Sequence, residues 1–123
     1  MSTEKYYLDF SQNWNGKLNN NFFSTIRLFN PKKYKLGRQY IIRYKNEEIL
    51  KAELDEITPV FYLQQVPSIA AKQDTGYSKE ETIKIFENIY KNADFDINTK
   101  LLQLYLFKVL KRYTYINPKQ KAS

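Results

Sequence analysis

The residues with the clearest chemical potential lie in the sequence STIRL, at positions 24–28. In a β-strand, Arg27 would face away from its two apolar neighbours. An arginine on the inner face of a small sheet needs an anionic partner, because a buried unpaired charge is very costly. With Ser24 and Thr25 as orienting hydroxyl groups, Arg27 could clamp a phosphate or a base edge through a forked contact. The alternative is an internal ion pair with Asp74 or with a carboxylate of the fourth strand.

A basic stretch with interleaved tyrosines follows. Its cations are Lys32, Lys33, Lys35, Arg38 and Arg43, and its aromatic residues are Tyr34, Tyr40 and Tyr44. In nucleic-acid binding, cations follow the phosphates while aromatic rings stack on the bases. The stretch therefore predicts a nucleic-acid surface. An ordinary solvated strand and turn, with the tyrosines packed by their rings, is the alternative.

The composition excludes several kinds of chemistry. The 123 residues include no histidine and no cysteine, which excludes catalytic triads built on either residue and also thiolate metal sites. No acidic cluster has the spacing of a calcium-binding loop, so we expect no metal and no cofactor. No apolar run approaches ~20 residues and the N-terminal sequence lacks a signal core, so we expect a cytoplasmic protein with no membrane association.

Charge is distributed in three blocks. Residues 1–45 carry nine Lys/Arg and two Asp/Glu (+7), residues 46–98 carry five and eleven (−6), and residues 99–123 carry six and none (+6), which gives +7 overall. If the two basic blocks meet in space, the protein has one positive and one negative face. The alternative is an ordinary solvated surface with a basic tail.

Hydrophobic periodicity and turn residues predict the elements that must position these groups. The predicted strands are Lys5–Phe10, Phe22–Leu28, Gln39–Tyr44, Ile49–Ile57, Val60–Val66 and Leu101–Val109, with a hairpin turn at Lys45-Asn46. The predicted helices are a short one within residues 11–21, a second at Ile69–Gln73, and the longest at Lys79–Lys91, which a capping box of Ser78 and Glu81 opens. A hairpin turn at Asn15-Gly16 competes with the first helix, and a helix competes with the last strand.

Together these elements predict a single α+β domain over residues 1–110, followed by a basic tail at residues 111–123 that frays. The architecture would be a small, curled antiparallel or mixed β-barrel, with a short N-terminal helix and a helix pair before the last strand. The last strand must return to the first strands to bury both. The two basic blocks would then be neighbours.

This order of elements, with the residues in it, resembles the ASCH domain of the PUA-like superfamily. The resemblance covers about residues 5–110 and rests on three pieces of sequence. They are the STIRL motif, then Lys35-Leu36-Gly37 before a strand, and then the run Asp74-Thr75-Gly76-Tyr77-Ser78-x-Glu80-Glu81, which opens a helix ending in Tyr90. The resemblance implies a small barrel with a cleft beside the first helix, which binds RNA, nucleotides or modified nucleosides. On this basis the ligand-binding residues are Ser24, Thr25, Arg27, Asp74 and Tyr77, although Asp74 could merely shape the turn between two helices.

Some ASCH-like proteins are amidohydrolases that act on acetylated cytidine, and they use a lysine, a threonine and an acidic residue. Laid on this chain, the threonine falls on Thr25 and the acidic residue falls near Asp74. The lysine position falls on Phe22, which has no amine, so Lys17 would have to turn into the cleft to replace it. In this alternative, Thr25 is the nucleophile or its positioner and Asp74 carries the proton.

The sequence thus favours a binding module for RNA or a nucleotide-type ligand, held by charge complementarity and tyrosine stacking and therefore sensitive to salt. Two alternatives belong to other classes. One is the amidohydrolase just described. The other is a small interaction or oligomerising domain, whose acidic middle and basic ends would pair with other subunits.

Overall fold

The structure, a computed structural model, describes residues 5–116 of the chain. Six strands form one sheet: β1 (Tyr7–Phe10), β2 (Phe22–Leu28), β3 (Gln39–Tyr44), β4 (Glu47–Ile57), β5 (Phe61–Tyr62) and β6 (Leu101–Arg112). Two α-helices, α1 (Ser68–Thr75) and α2 (Lys79–Ile89), lie between β5 and β6 in the chain. Short 3₁₀ helices occupy Trp14–Asn19, Leu63–Gln65 and Ile97–Thr99.

The strand order of the sheet is β1-β3-β4-β6-β2, and β5 extends the side of β6 that β4 occupies. Strand β1 runs parallel to β3, and the other pairs are antiparallel. Within the described residues, β1 and β2 are the two edges of the sheet and do not pair with each other. We call the gap between these two edges the seam. The last strand pairs with β2, so the two basic blocks of the chain are neighbours, as predicted.

Bulges and a tight turn explain why the sheet curls. The register shifts between Lys51 and Ala52 and again between Leu54 and Glu56 in β4. Such bulges bend a strand and increase its twist. The hairpin between β3 and β4 turns at Lys45 and Asn46, whose φ angles of 50° and 69° are those of a tight hairpin turn. The result is a curled half-barrel with an open seam, in agreement with the predicted α+β fold class.

The sheet is covered on both faces. The inner face holds an aromatic cluster in which Tyr34 stacks on Tyr105 (centroids 4.1 Å apart) and Phe23 stacks on Phe107 (5.3 Å). The outer face of β2 and β6 is covered by α1 and α2, in a second cluster that contains Ile26, Leu102, Leu104, Ala70 and Phe86. Strand β6 is therefore buried on both sides, which explains why its sequence is a nearly continuous apolar run.

The helix signals in the sequence are confirmed. The Ser78 hydroxyl accepts the backbone N–H of Glu81 (3.2 Å) and contacts its carboxylate, which is the predicted capping interaction at the start of α2. Helix α1 ends at Gly76, whose φ of 82° lies in the left-handed region that glycine tolerates. The short N-terminal helix is present as a 3₁₀ helix, and the competing hairpin turn at Asn15-Gly16 is not found.

Several predicted bounds differ from the structure by one or two residues, and two differ by more, those of β5 and β6. The strand predicted at Val60–Val66 is reduced to Phe61–Tyr62, because Tyr62 pairs with the first residue of β6 and no partner strand remains beyond it. At its C-terminal end, β6 continues beyond the predicted end at Val109 to Arg112, because Leu50 of β4 pairs with Arg112. Residues 111 and 112 of the predicted tail therefore belong to the sheet, and its residues 117–123 lie outside the described part.

Among residues 5–116, no helix has the length and apolar character needed to cross a lipid bilayer.

The buried tyrosines predict a loss of stability in alkali. Burial raises the pKa of Tyr105 to about 12, and it also raises the pKa of Tyr34 and Tyr40. In the unfolded chain the pKa of tyrosine is about 10. Below that pH, Tyr105 is protonated in both the folded and the unfolded state, so its contribution to the free energy of unfolding is fully present. Between pH 10 and 12 only the unfolded state loses the proton of Tyr105, so the free energy of unfolding falls by on the order of 2 kcal/mol from this residue.

We expect Tyr105→Phe to remove this contribution, which makes the decline between pH 10 and 12 shallower in urea unfolding measured at several pH values. The control is Tyr62→Phe, at a side chain that is 44% exposed. A decline in Tyr105→Phe that is as steep as in the wild type would show that Tyr105 is not its source.

Candidate ligand-binding cleft at the seam

The most buried ion pair of the described chain joins Lys17, on the 3₁₀ helix after β1, to Asp74, near the end of α1. The side chains of the two residues are 6% and 5% exposed. The Lys17 ammonium donates to Asp74 Oδ1, to the Asp74 backbone carbonyl (3.0 Å) and to the Ser24 backbone carbonyl (2.6 Å). These acceptors use every N–H of the ammonium group. Such saturation is what allows an ion pair to persist away from water.

The pair also completes the hydrogen bonding of the edge strand β2. Neighbouring residues of an edge strand point their backbone groups alternately toward the partner strand and away from it. Ser24 and Ile26 point away from β6 and into the seam. There the Ser24 carbonyl accepts from Lys17, and the Ile26 N–H donates to Asp74 Oδ2 (3.2 Å). The two side chains therefore replace the hydrogen bonds of a missing neighbouring strand.

Local structure explains why Lys17 and Asp74 meet. The Asn13 side chain accepts the backbone N–H of Leu18 (2.8 Å), and Leu18 is buried in the inner cluster, which fixes the 3₁₀ helix beside Lys17. On the other side, the Thr75 hydroxyl donates to the Ala71 carbonyl (3.0 Å) and contacts the hydroxyl of a threonine in α2, which fixes the last turn of α1. Asp74 is thus held where its carboxylate contacts both Lys17 and the backbone of β2, so its role extends beyond shaping the turn after α1.

Arg112, at the end of β6, and Ile116, beyond it, also bind this 3₁₀ helix and the residue that follows it. Arg112 donates to the backbone carbonyls of Leu18 (2.8 Å) and Asn20 (2.9 Å). The Asn19 side chain exchanges two hydrogen bonds with the backbone of Ile116, at 3.0 and 2.9 Å. The position of Lys17 thus depends on residues that are almost a hundred positions away in the chain.

An open cleft with a cavity volume of about 150 Å³ lies at the seam, directly in front of the buried pair. Strands β1 and β2 form its sides, and α2 and the 3₁₀ helix close its ends. Its aromatic walls come from Phe10, Trp14, Phe86 and Tyr90, and its polar lining includes Asp9, Lys17, Thr25, Arg27 and Asp74. A concave apolar site with a few convergent polar groups is the usual form of a small-molecule site.

Arg27 bridges the seam. Its Nε donates to the Thr25 hydroxyl (3.1 Å), and its Nη2 reaches across to the backbone carbonyl of Asp9 on β1 (2.8 Å). The guanidinium group also lies over the Phe10 ring, 4.4 Å from its centroid. Arg27 and Ile26 face opposite sides of β2, as predicted.

The internal ion pair considered for Arg27 is not formed. Asp74 is engaged by Lys17 instead, and across residues 5–116 no carboxylate lies within 4 Å of the Arg27 guanidinium. The other partner considered from the sequence, a bound anion, stays a prediction.

Burial lowers the pKa of Lys17, and the nearby Asp74 carboxylate opposes this shift. Desolvation is the larger effect, because the ammonium group lies almost completely away from water. A lowered pKa makes the Lys17 ammonium a better proton donor than an exposed lysine. The cleft therefore contains a group for acid–base chemistry that is not a histidine.

The structure brings most of the predicted ligand-binding residues together. Thr25, Arg27, Asp74 and Lys17 line one cleft. Ser24 contributes its backbone carbonyl, while Tyr77 lies outside the lining and packs edge-on against Trp14 with centroids 5.9 Å apart.

The sequence reasoning did not find the cleft residues Asp9, Phe10, Trp14, Phe86 and Tyr90. One available signal was the position of Asp9 as one of only two acidic residues in the first basic block. The other signal was the spacing of Phe86 and Tyr90, which are four positions apart and so share one face at the end of α2.

The aromatic half of the predicted nucleic-acid surface is wrong. Tyr34, Tyr40 and Tyr44 are buried, so their faces cannot stack on bases. On β3 the side chains alternate, and Tyr40 and Tyr44 share the inward face with Ile42, a pattern that the sequence already displayed. Tyr34 fills the inner cluster against Tyr105.

The cations of this stretch stay at or near the surface, but two are already engaged. Arg43 pairs with Asp9, and Arg38 donates to the backbone carbonyls of Lys32 and Lys33 at 2.9 Å each. Lys32 and Lys35 are exposed, and Lys33 is partly buried.

A second cavity, of about 270 Å³, lies on the opposite side of Lys17. Its rim includes Phe22, which is 62% exposed, together with Lys72 and Asp55. The position at which the family resemblance requires a lysine therefore lies outside the cleft. Lys17 occupies the place beside Thr25 and Asp74 instead.

In the described part of the chain, no group of three or more acidic side chains could hold a metal ion.

No family model matches the chain, and no curated protein matches it. Its fold is similar to that of protein EF3133 from Enterococcus faecalis V583, a crystal structure that carries the family label DUF984. The TM-score is 0.66 at 15% sequence identity, and the match covers 99% of this chain and 83% of that one. At this identity the likeness establishes a shared fold.

The Lys17–Asp74 pair predicts strongly coupled effects on stability. Lys17→Met should lower the free energy of unfolding by about 3–5 kcal/mol, because Asp74 is left as an uncompensated buried charge. Asp74→Leu should have a comparable cost for the same reason. The double variant should cost clearly less than the sum of the two, although the Ser24 and Ile26 backbone groups still lose their partners.

The double-mutant cycle is measured by urea unfolding of the wild type, Lys17→Met, Asp74→Leu and the double variant. Lys72→Met, at an exposed lysine on α1, is the matched control and should change stability by less than about 0.5 kcal/mol. Additive effects of the two single substitutions would contradict the coupling.

Proposed function

We propose that the seam cleft binds a nucleoside-type ligand, by enclosing a planar heterocycle between aromatic walls above the Lys17–Asp74 pair. The observation that carries the proposal is the position of Arg27. Its guanidinium group lies at the cleft with no carboxylate partner in the described chain, and it is held in place by Thr25 and the Asp9 carbonyl.

The size and walls of the cleft suit an aromatic ring. A cavity of ~150 Å³ lined by apolar side chains is known to accept benzene. The cleft has the same volume and is open to solvent, so a ring can enter while a sugar remains outside. Trp14 and Tyr90 lie on its walls and offer faces or edges for aromatic contact.

The polar groups suit the edge of a nucleobase. The Thr25 hydroxyl accepts from Arg27 and keeps its own proton for a ligand acceptor, and the remaining Arg27 N–H groups are donors as well. Base edges present carbonyl and ring-nitrogen acceptors of this kind. The family resemblance, which implies nucleoside or RNA ligands, supports the same ligand class. We limit the proposal to one nucleoside unit, whether free or exposed in RNA, because the tyrosines predicted to stack along a strand are buried.

A second candidate function is hydrolysis of an amide on a modified nucleoside. It is favoured by one observation, that Lys17, Thr25 and Asp74 line the same cleft. These are the residue types that the ASCH-like amidohydrolases use, although Lys17 comes from a different position in the sequence. The Thr25 hydroxyl would attack or orient, and the Lys17–Asp74 pair would transfer the proton.

Nucleoside binding can be followed through Trp14, because it is the single tryptophan of the chain and lines the cleft. We expect at least one of the common nucleosides to change its fluorescence in a saturable way. Thr25→Val, which keeps the shape but removes the hydroxyl, should weaken binding about tenfold. Lys35→Ala removes an exposed cation that does not line the cleft and should leave affinity unchanged. If no nucleoside alters the Trp14 signal, the proposal is wrong.

Amide hydrolysis is tested by incubating the protein with N4-acetylcytidine and separating the product, cytidine, by chromatography. If the second candidate holds, Thr25→Val should reduce turnover by more than about a hundredfold while thermal unfolding shows an intact fold. Asp74→Asn should also abolish turnover, but its effect on stability must be measured beside it. Absence of turnover by the wild type would remove the enzyme candidate and leave the binding proposal standing.

A further inference from the structure

The mouth of the cleft contains more positive charge than the protein neutralises. Asp9 is the acidic residue at this point, and Arg43 already engages it through two contacts, Nε to Oδ1 (2.6 Å) and Nη2 to Oδ2 (3.0 Å). This hydrogen bonding with Arg43 is the main cause that lowers the pKa of Asp9, and the charges of Lys33 and Arg27 add to it. One carboxylate thus faces three cations and is fully occupied by one of them.

Arg27 keeps part of its guanidinium group free. Its Nε and one N–H of Nη2 have acceptors on the protein. Within residues 5–116, the two N–H groups on Nη1 and the second one on Nη2 have none. Both terminal nitrogens therefore keep a donor for a forked contact to a phosphate or carboxylate.

Lys33 completes the cationic group. Burial is the main cause that lowers its pKa, and the neighbouring positive charges of Arg27 and Arg43 lower it further, while Asp9 opposes the shift. The amine lies 5.5 Å from the centroid of the Tyr34 ring, and no carboxylate lies within 4 Å of it in the described chain. Lys33 does not line the cleft, but it is close enough to Arg27 for the two positive charges to repel each other, and an anion placed between them would relieve this repulsion.

We propose that Arg27 and Lys33 form a binding site for a phosphate group at the mouth of the cleft, so that the ligand of the cleft is a nucleotide with a terminal phosphate. The first half concerns the anion alone, and the second rests on the proposed function. Two uncompensated cations match the charge of a phosphate dianion, and the forked donors of Arg27 match its oxygens. A carboxylate ligand would compensate only one of them.

The arrangement also explains why Arg27 contacts both the cleft and the seam. Its Thr25 and Phe10 contacts place one side of the guanidinium group at the cleft wall, and its link to β1 holds it rigidly across the gap. A phosphate on its free side lies at the rim while the attached nucleoside enters the cleft. Two of the three free N–H groups of Arg27 would contact the phosphate, which leaves one on Nη1, together with the Thr25 hydroxyl, for the nucleoside.

The test compares three probes on the intact protein at low ionic strength: inorganic phosphate, cytidine and cytidine 5′-monophosphate. Binding is followed by Trp14 fluorescence and by NMR of the arginine Nε–H groups. We expect the monophosphate to bind roughly tenfold more tightly than cytidine, because contacts to charged groups are the stronger hydrogen bonds. Inorganic phosphate should compete with it.

The substitutions locate the site. Lys33→Ala should remove most of the difference between the monophosphate and cytidine and leave cytidine binding unchanged. Lys32→Ala makes the same charge change at the neighbouring exposed lysine and should preserve the difference. Arg27→Lys keeps the charge but loses the fork, and should weaken the monophosphate. Asp9→Asn should strengthen phosphate binding, because it removes the competing carboxylate.

Each outcome decides between the two ideas. If cytidine binds but the monophosphate binds no more tightly, the phosphate site is wrong while the nucleoside cleft stands. If phosphate binds in a manner that depends on Arg27 and Lys33 while cytidine does not bind, the phosphate site stands and the nucleoside proposal is wrong. If Lys33→Ala and Lys32→Ala weaken phosphate equally, the effect is general surface charge and the proposed site is wrong.

Discussion

The structure depends on one buried contact, the ion pair between Lys17 and Asp74. It lies where an edge strand would otherwise leave backbone groups without partners, and it supplies a donor to the Ser24 carbonyl and an acceptor to the Ile26 N–H. Buried ions are costly, so a pair of this kind persists only where every hydrogen bond is made. Here the requirement is met by side chains from two helices and by the backbone of one strand. The same saturation holds the floor of the cleft in a single geometry.

The seam follows from the strand order. Strand β1 joins β3 in parallel and β2 lies at the far end of the sheet, so the two strands that are consecutive in the chain form its two open edges. The segment that links them must cross the gap, and it carries Lys17. Arg27 crosses the same gap in the opposite direction. The backbone groups at these two edges therefore lack a neighbouring strand, which is why polar side chains are concentrated at one place.

Much of the fold could be read from local sequence. Strands β2 and β3 have their predicted bounds, and the Ser78–Glu81 cap identified the start of α2, because period and capping are properties of neighbouring residues. The predictions that failed depended on partners. Val60–Val66 has strand-forming residues, but β6 begins at Leu101, which already pairs with Tyr62, so the residues after Tyr62 have no partner strand. The tyrosines of the basic stretch looked like a binding surface because local sequence does not say which face of a strand is buried.

The cleft was predicted in part. Thr25 and Arg27 were identified from the STIRL motif itself, and the family resemblance added Asp74 as a ligand-binding residue, a position that no local pattern reveals. Lys17 was considered only as a substitute, since its contact with Asp74 joins residues 57 positions apart and leaves no sequence signature. The ion pair considered for Arg27 was wrong for the same reason: which carboxylate meets which cation is decided by the packing of the whole chain.

The contacts of Arg112 and Ile116 with the 3₁₀ helix have a consequence for how the protein is made. They join residues separated by 92 to 97 positions, and the central strand β6 is itself the last element of the described chain. A growing polypeptide that has not yet reached residue 101 lacks the strand to which both β2 and β4 pair. The edges of β2 and β4 that face β6 must therefore stay unpaired until β6 has been made. The cleft forms only when β6 joins β2 to the rest of the sheet, and until then the unpaired edges are open to pairing with other chains.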